Sequence, residues 1–147
     1  MSKLEEADID VSGNIGNILE SITSVRRLSL HLSLSSGKEL VYRPGIVFSQ
    51  LEHVNLSIKT NNWSKLLVWL LGNSPKLRAL NLYLGIFSIF EVYEPVTWSS
   101  VPECLLRSLE TLEFSGYGGS QEEIDFLSFF FRHASCLKSY SITNYVP

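Results

Sequence analysis

The chain has 147 residues, of which 45% are hydrophobic and 18% are charged, and its formal net charge is −3. This length and apolar content suit one domain with a sizeable core and exclude wholesale disorder. The acidic balance argues against a nucleic-acid partner, because phosphate binding needs concentrated positive charge.

Membrane insertion and secretion are also disfavoured. The longest unbroken apolar run, Leu66 to Leu71, has six residues, whereas a membrane-spanning helix needs roughly 20. The first residues are polar and lack the apolar segment of a secretory signal. Cys104 and Cys136 are too few for a disulfide framework. We therefore expect an intracellular protein, in the cytoplasm or nucleus and not secreted, with reduced, buried thiols and no membrane contact.

A short pattern, Leu-x-x-apolar-x-apolar, recurs along the chain. Its copies begin at Val25, Leu51, Leu77, Leu109 and Leu137, with intervals of 26, 26, 32 and 28 residues. Leucine-rich repeats have periods of about 20–29 residues. Alternate residues of a strand face opposite sides, so each copy predicts a strand with two inward apolar residues. One such strand cannot bury its apolar side alone, and the five are therefore predicted to stack as a parallel sheet.

Helices are predicted between several of these strands. A weak helix over 17–23 precedes the first copy, and 39–42 reads as extended before a Pro-Gly turn. Asn62 is predicted to cap a helix over 63–71 that Gly72 ends. Ser120 and Glu123 form a capping box that opens a helix from Gln121 to about Ala134. The apolar stripe of this helix is predicted to comprise Ile124, Phe126, Leu127, Phe130, Phe131 and Ala134.

The long interval from Gly85 to Ser108 is the least regular part. Its apolar residues between Phe87 and Tyr93 are too hydrophobic for a solvated loop, so they are predicted to pack across the core or to form an extra strand.

The alternation of strands and helices predicts an α/β fold, a leucine-rich-repeat-like solenoid with parallel strands and intervening helices. A compact α/β sandwich without a horseshoe is the alternative. The predicted organisation is an N-terminal segment with a capping helix (1–24), a leucine-rich-repeat-like region (25–97) and a region continuing the same solenoid (98–147).

Catalytic and metal chemistry are weakly supported. His31 and His53 fall in different columns of the predicted sheet and lack a third metal ligand. A thiol hydrolase using Cys136 with His133 as its base is the enzymatic alternative. The glycine-rich stretch 116–120 lacks the spacing and lysine of a phosphate-binding loop and is predicted to be a strand-to-helix turn. We therefore expect a non-enzyme without catalytic residues, metal or cofactor.

The outward side of the predicted sheet is the candidate binding surface. Its first column is Arg27, His53, Ala79, Thr111 and Ser139, its second is Ser29, Asn55, Asn81, Glu113 and Ser141, and its third is His31, Ser57, Tyr83, Ser115 and Thr143. Concave faces of repeat proteins commonly receive protein partners. The predicted contacts are Arg27, His31, His53, Asn55, Asn81 and Tyr83, with aromatic and Arg side chains foremost. The alternative is that this face is only solvated.

Several motifs resemble a known plant family. Val-Pro-Glu-Cys-Leu at 101–105, Tyr-x-Gly-x-x-Glu-Glu at 117–123 and Ala-x-Cys-Leu-Lys at 134–138 resemble the FBD domain. Residues 48–56 resemble the leucine-rich repeats that precede it in F-box/FBD/LRR-repeat proteins. Phe114, His133 and Trp98 depart from the residues common in that family, which we interpret as packing or loop changes.

The resemblance implies a function. In that family the F-box docks on the adaptor subunit of a cullin–RING ubiquitin ligase, and the repeats are thought to hold the substrate. No F-box is found before the repeats, so we expect the substrate-binding part alone, with an unidentified protein partner and doubtful direct binding to the cullin adaptor. An F-box-less competitor or truncated product without a ligase role is the alternative.

Overall fold

The computed structural model describes residues 6–11, 22–32, 47–58, 63–85, 98 and 100–144. In these residues the strands are β1 (Glu6–Val11), β2 (Arg27–Leu32), β3 (His53–Ile58), β4 (Ala79–Leu84), β5 (Thr111–Tyr117) and β6 (Ser139–Asn144). The helices are α1 (Trp63–Gly72), α2 (Glu103–Arg107) and α3 (Gln121–His133). The chain therefore combines strands and helices, as the sequence predicts.

The strands form one parallel sheet whose order follows the sequence. The five residues predicted to lie side by side do so: Leu28, Val54, Leu80, Leu112 and Tyr140 are register partners on adjoining strands. Equivalent positions of successive repeats are therefore paired along the whole row. This confirms the register predicted from the repeat.

Strand β1 was not predicted. Its signal is a sixth, weaker copy of the repeat, Leu4-x-x-Ala7-x-Ile9, which begins 21 residues before Val25. Ala7 contributes little apolar area, and acidic residues surround it, so the copy does not stand out from composition. Its pairing with β2 places Ala7 beside Leu28 and Ile9 beside Leu30.

The core lies between the inward side of the sheet and the helices. The inward apolar side chains of β2 to β5 whose burial the structure describes are buried, as are the apolar faces of α1 and α3. Trp63 ties these layers together, with its ring centroid 6.0 Å from that of Phe114 in β5 and 5.5 Å from that of Phe126 in α3. Close edge-to-face packing of this kind adds to the stabilisation that burial gives.

The helix predictions are confirmed for α1 and α3, and α2 was missed. This helix has only five residues and lies inside the irregular interval before Ser108. The predicted stripe of α3 is partly wrong, because Ile124 and Phe131 are 43% and 40% exposed. Buried positions in the first turn of α3 are instead taken by Glu122 and Glu123. Hydropathy could not predict that two glutamates are buried while two apolar residues are exposed. Both carboxylates accept hydrogen bonds, which offset the cost of burying them.

Several predictions fall outside the described residues. These are the greater part of the helix over 17–23, the extended segment with its Pro-Gly turn at 39–45, the capping of α1 by Asn62, and the apolar segment from Phe87 to Tyr93. Across the part of the chain that is described, no helix is long and apolar enough to cross a membrane.

The last strand differs from those before it in burial. All six residues of β6 are exposed, including the inward Tyr140, at 62%. Its ring contacts Phe131 of α3, with 5.0 Å between ring centroids. Tyr140 therefore lies in the predicted row but does not share the buried interior of its four partners.

Candidate functional site: the outward face of the sheet

The outward face consists of three rows of side chains that cross the sheet in register. For β2 to β6 the rows contain the residues predicted for the three columns. Strand β1 adds Glu6 to the first row and Asp8 to the second. A repeat of nearly constant length is what aligns residues from distant parts of the sequence into one surface.

Side-chain hydrogen bonds link three neighbouring members of the second row. The Nδ2 of Asn81 donates to the Oδ1 of Asn55 across 2.7 Å, and the Nδ2 of Asn55 donates to the Oγ of Ser29 across 3.3 Å. Two residues predicted to bind a partner are thus brought into direct contact. The bonds favour particular rotamers of both asparagines, although both bonds lie at the exposed surface.

The basic residues of the predicted site lie at the β1 side of the face. The Nε2 of His31 is 3.2 Å from the Oδ1 of Asp8. Arg27 and His53 are register partners in the first row. Arg27 also lines a shallow depression together with Glu6, Arg26 and Glu52. The two histidines lie in different rows, and within the described residues no group of three or more metal-ligating side chains occurs.

Tyr83 stands out from the third row. Its register partners are Ser57 on one side and Ser115 on the other, and its side chain is 38% exposed. Its aromatic ring therefore lies between two small neighbours and is partly exposed. Aromatic side chains in such positions often dominate the energy of an interface.

A row of alternating charges, which sequence reasoning missed, precedes the strands. It comprises Arg26, Glu52, Arg78, Glu110 and Lys138, each at the second position of its repeat. Along this charge ladder, each of the last four backbone N–H groups donates to the carbonyl of the preceding member, at 2.7–2.8 Å. The signal was present in the sequence as opposite charges at one repeat position.

Two ion pairs lie at the C-terminal end of the charge ladder. The Nη2 of Arg78 is 3.3 Å from the Oε2 of Glu110, and the Nζ of Lys138 is 3.4 Å from its Oε1. The hydrogen bond from Arg78, together with the charge of Lys138, holds the pKa of Glu110 below its ordinary value. The carboxylate of Glu110 therefore joins the starts of three adjacent strands.

The thiols and His133 make separate contacts. Burial raises the pKa of Cys104 to about 12, and its Sγ donates to the carbonyl of Leu71 at 3.5 Å. Cys136 is only partly buried, so the expectation of a buried thiol was wrong for it. Its Sγ donates to the carbonyl of Leu106 at 3.5 Å. The ring of His133 packs on Phe129, with 4.5 Å between centroids.

The glycine-rich stretch is the predicted strand-to-helix turn. Gly116 and Gly119 have positive φ, and Ser120 with Glu123 forms the predicted capping box. The Glu123 carboxylate accepts hydrogen bonds from the backbone N–H groups of Gly118 and Ser120, at 2.8 and 3.2 Å. Both N–H groups therefore already have an acceptor within the turn.

Comparison with known proteins bears on this arrangement. The sequence pattern of the FBD family matches residues 97–142. The chain is 52% identical over 149 residues to the FBD-associated F-box protein At5g60610 of Arabidopsis thaliana, in a match covering 98% of this chain and 38% of that protein. It is 39% identical over 156 residues to the putative F-box/FBD/LRR-repeat protein At5g62970 of the same plant, covering 97% and 33%. The chain belongs to the plant FBD family.

The FBD match corresponds to α2, β5, α3 and the first four residues of β6. The Val-Pro-Glu-Cys-Leu motif leads into α2, where it buries Cys104 and Leu105. In the structure the FBD region therefore extends the sheet that β1 to β4 begin. The chain spans about a third of the length of the two curated relatives named. No solved structure matches it.

Proposed function

We propose that this chain is a non-catalytic protein-interaction module whose outward sheet face binds a protein partner. The observation that carries the proposal is the alignment of three polar rows across parallel strands, with side chains linked by hydrogen bonds and a partly exposed Tyr83 between two serines. A mainly uncharged polar surface with linked side chains offers many groups for hydrogen bonding, at a lower entropic cost than freely rotating side chains would incur.

We propose the architecture of a solenoid as well. Parallel strands in sequence order, a constant register and helices on one side of the sheet support a leucine-rich-repeat-like solenoid. In such a solenoid the outward sheet face is the concave surface, and each repeat contributes one strip of contacts.

The proposal also assigns a role. The relatives bear the names FBD-associated F-box protein and F-box/FBD/LRR-repeat protein. By analogy, the outward face is the substrate-binding part of a ubiquitin-ligase receptor of this kind. This role is inferred from the family and not from the chemistry of particular side chains on the outward face. Binding by that face therefore needs its own experiment.

Affinity capture with mass spectrometry tests the face. The bait is the chain itself, compared with a variant in which Arg27, His53 and Tyr83 are all alanine. The matched control carries three alanines at exposed positions of α3, in place of Gln121, Ile124 and Arg132. We expect specific partners to be lost with the first variant and retained with the second. Recovery of the same proteins with all three baits would refute the binding role of the face.

A further inference from the structure

Opposite charges stand apart on the outward face of β2 to β5. Arg27 and His53 lie beside each other in the first row, on β2 and β3. Glu113 lies in the second row on β5, three strands away from Arg27. Within the described residues neither Arg27 nor Glu113 forms an ion pair. Both side chains are exposed, so each is available to a group of opposite charge on a partner.

The strands between these charges carry neutral groups that can form hydrogen bonds. Asn55 on β3 and Asn81 on β4 lie in the second row and are linked by the 2.7 Å hydrogen bond. An asparagine amide has two hydrogens to donate and two lone pairs that accept. The pair therefore keeps capacity for further bonds beyond those to each other and to Ser29. An extended peptide backbone can use this capacity, because each of its residues carries one N–H donor and one C=O acceptor.

The separation of the charges fits an extended peptide of defined spacing. From the midpoint of Arg27 and His53, Glu113 lies two and a half strand spacings across the sheet and two residues along it, roughly 14 Å in a straight line. An extended peptide advances about 3.4 Å per residue and covers this distance in about four residues. Residues four apart in such a peptide project to the same side, so both of their side chains can face the sheet.

We infer that the outward face binds an extended peptide segment of its partner, with an Asp or Glu over Arg27 and His53 and a Lys or Arg four residues away over Glu113. This partner chemistry rests on the proposed binding role of the face. The backbone between the two charged residues passes over the linked asparagines, which bind it through hydrogen bonds. Tyr83, two residues beyond Asn81 on β4, flanks this path and offers its ring to an apolar residue of the same peptide.

Acidic neighbours favour a carboxylate over a phosphate at the basic end of this path. Glu6 of β1 is the other register partner of Arg27, and Glu6 and Glu52 line the depression beside Arg26 and Arg27. Two arginines and two glutamates leave no surplus of positive charge there for a doubly charged phosphate. A single carboxylate needs less compensation and can accept hydrogen bonds from both Arg27 and His53.

Selection of short random peptides, displayed and captured on the folded chain, tests this inference. We expect the enriched peptides to share an acidic and a basic residue four positions apart. A synthetic copy of an enriched peptide with phosphoserine in place of the acidic residue should bind more weakly. Enrichment of peptides without this spacing, or of no peptide at all, would overturn the inference. Tighter binding of the phosphopeptide would contradict the choice of a carboxylate.

Charge reversal on the chain assigns each charged residue of the peptide to its position. Glu113→Lys should weaken binding of an enriched peptide at least about fivefold, because an attraction becomes a repulsion. Replacing the basic residue of the peptide with glutamate should restore the affinity for this variant. Arg27→Glu should behave in the same way towards the acidic residue. The matched control, Glu103→Lys at an exposed position of α2, should bind like the wild type.

The outcomes distinguish this inference from the proposed function. If charge reversal leaves the peptide affinity unchanged while the triple alanine variant loses its captured proteins, the face binds proteins by other chemistry and the inference is wrong. If the triple alanine variant keeps them all, the proposed function itself fails. Circular dichroism verifies that the variants fold. If Glu113→Lys does not fold, Glu113→Gln replaces it, and unchanged affinity for that variant would refute the inference equally.

Discussion

At the scale of single residues, two positions depart from the alternation of apolar and polar residues, and both make contacts between segments that are distant in sequence. Gly116 adopts a positive φ of 89° next to the end of β4, where a Cβ would collide with the carbonyl oxygen of Leu84. Glu122, in the first turn of α3, is buried and accepts hydrogen bonds from both the backbone N–H and the hydroxyl of Ser64 in α1. Sequence reasoning placed Glu122 at a helix start but could not show that it also serves the start of another helix.

Replacing Gly116 with alanine tests the first of these positions. The left-handed backbone and the collision should together cost about 2–3 kcal/mol in the free energy of unfolding. Gly72→Ala is the control, because no heavy atom lies within 4 Å of its added Cβ and the residue is helical. That change should stabilise by about 0.4–1 kcal/mol. Urea unfolding followed by circular dichroism measures both, and equal effects would contradict this account.

Replacing Glu122 with alanine tests the second position. The change leaves the two donors of Ser64 buried without this acceptor, at a cost of about 2–3 kcal/mol. Glu103→Ala, at an exposed ion pair with Arg107, should change stability by less than about 0.5 kcal/mol. Glu122→Gln keeps an acceptor and should fall between them in thermal unfolding. A Glu122→Ala variant as stable as the wild type would show that the contact is unimportant.

At the scale of elements, the charge ladder links the starts of strands that are distant in sequence. Glu110 accepts from Arg78 and pairs with Lys138, so β4, β5 and β6 are joined by one carboxylate. Opposite charges on neighbouring strands favour this register over a shifted one. The same alternation occurs in the sequence, but without the parallel register there was no reason to read these residues as neighbours.

The ladder predicts a pH dependence. The folded-state pKa of Glu110 is lowered, chiefly by its hydrogen bond from Arg78. Its contribution to stability is therefore present above the pKa of the unfolded chain and is lost as pH falls through the folded value. Glu110→Gln should reduce stability near neutral pH, and the difference from wild type should shrink in acid and in high salt. Glu113→Gln, at an exposed carboxylate of β5 outside the ladder, is the control. A pH-independent difference for Glu110→Gln would contradict the assignment.

At the scale of the whole molecule, burial is distributed unevenly along the sheet. The inner strands have neighbours on both sides and buried inward residues, whereas Tyr140 of β6 is largely exposed. Leu80 and Tyr140 occupy the same row of the sheet, yet Leu80 is fully buried and Tyr140 is mostly exposed. Repeat proteins behave this way because each repeat is stabilised mainly by its immediate neighbours.

A pair of truncations measures this gradient. Leu80→Ala should cost about 2–5 kcal/mol, because Leu80 is fully buried and its truncation leaves a cavity. Tyr140→Ala removes a larger side chain from an exposed position and should cost about 1 kcal/mol or less. Chemical unfolding followed by circular dichroism measures both changes. Similar losses at the two positions would show that β6 is part of the common core.

The repeat, the strand-and-helix alternation, the register of five strands and the composition of the outward rows could all be predicted from the amino-acid sequence. These features depend on local periodicity, since a residue's side of a strand follows from its place in the repeat. The place of β1 in the sheet, the second helix start that Glu122 serves and the exposure of β6 could be seen only in the folded chain. Those outcomes depend on which elements lie beside one another, because burial and hydrogen bonding between segments tens of residues apart leave no periodic trace in the chain.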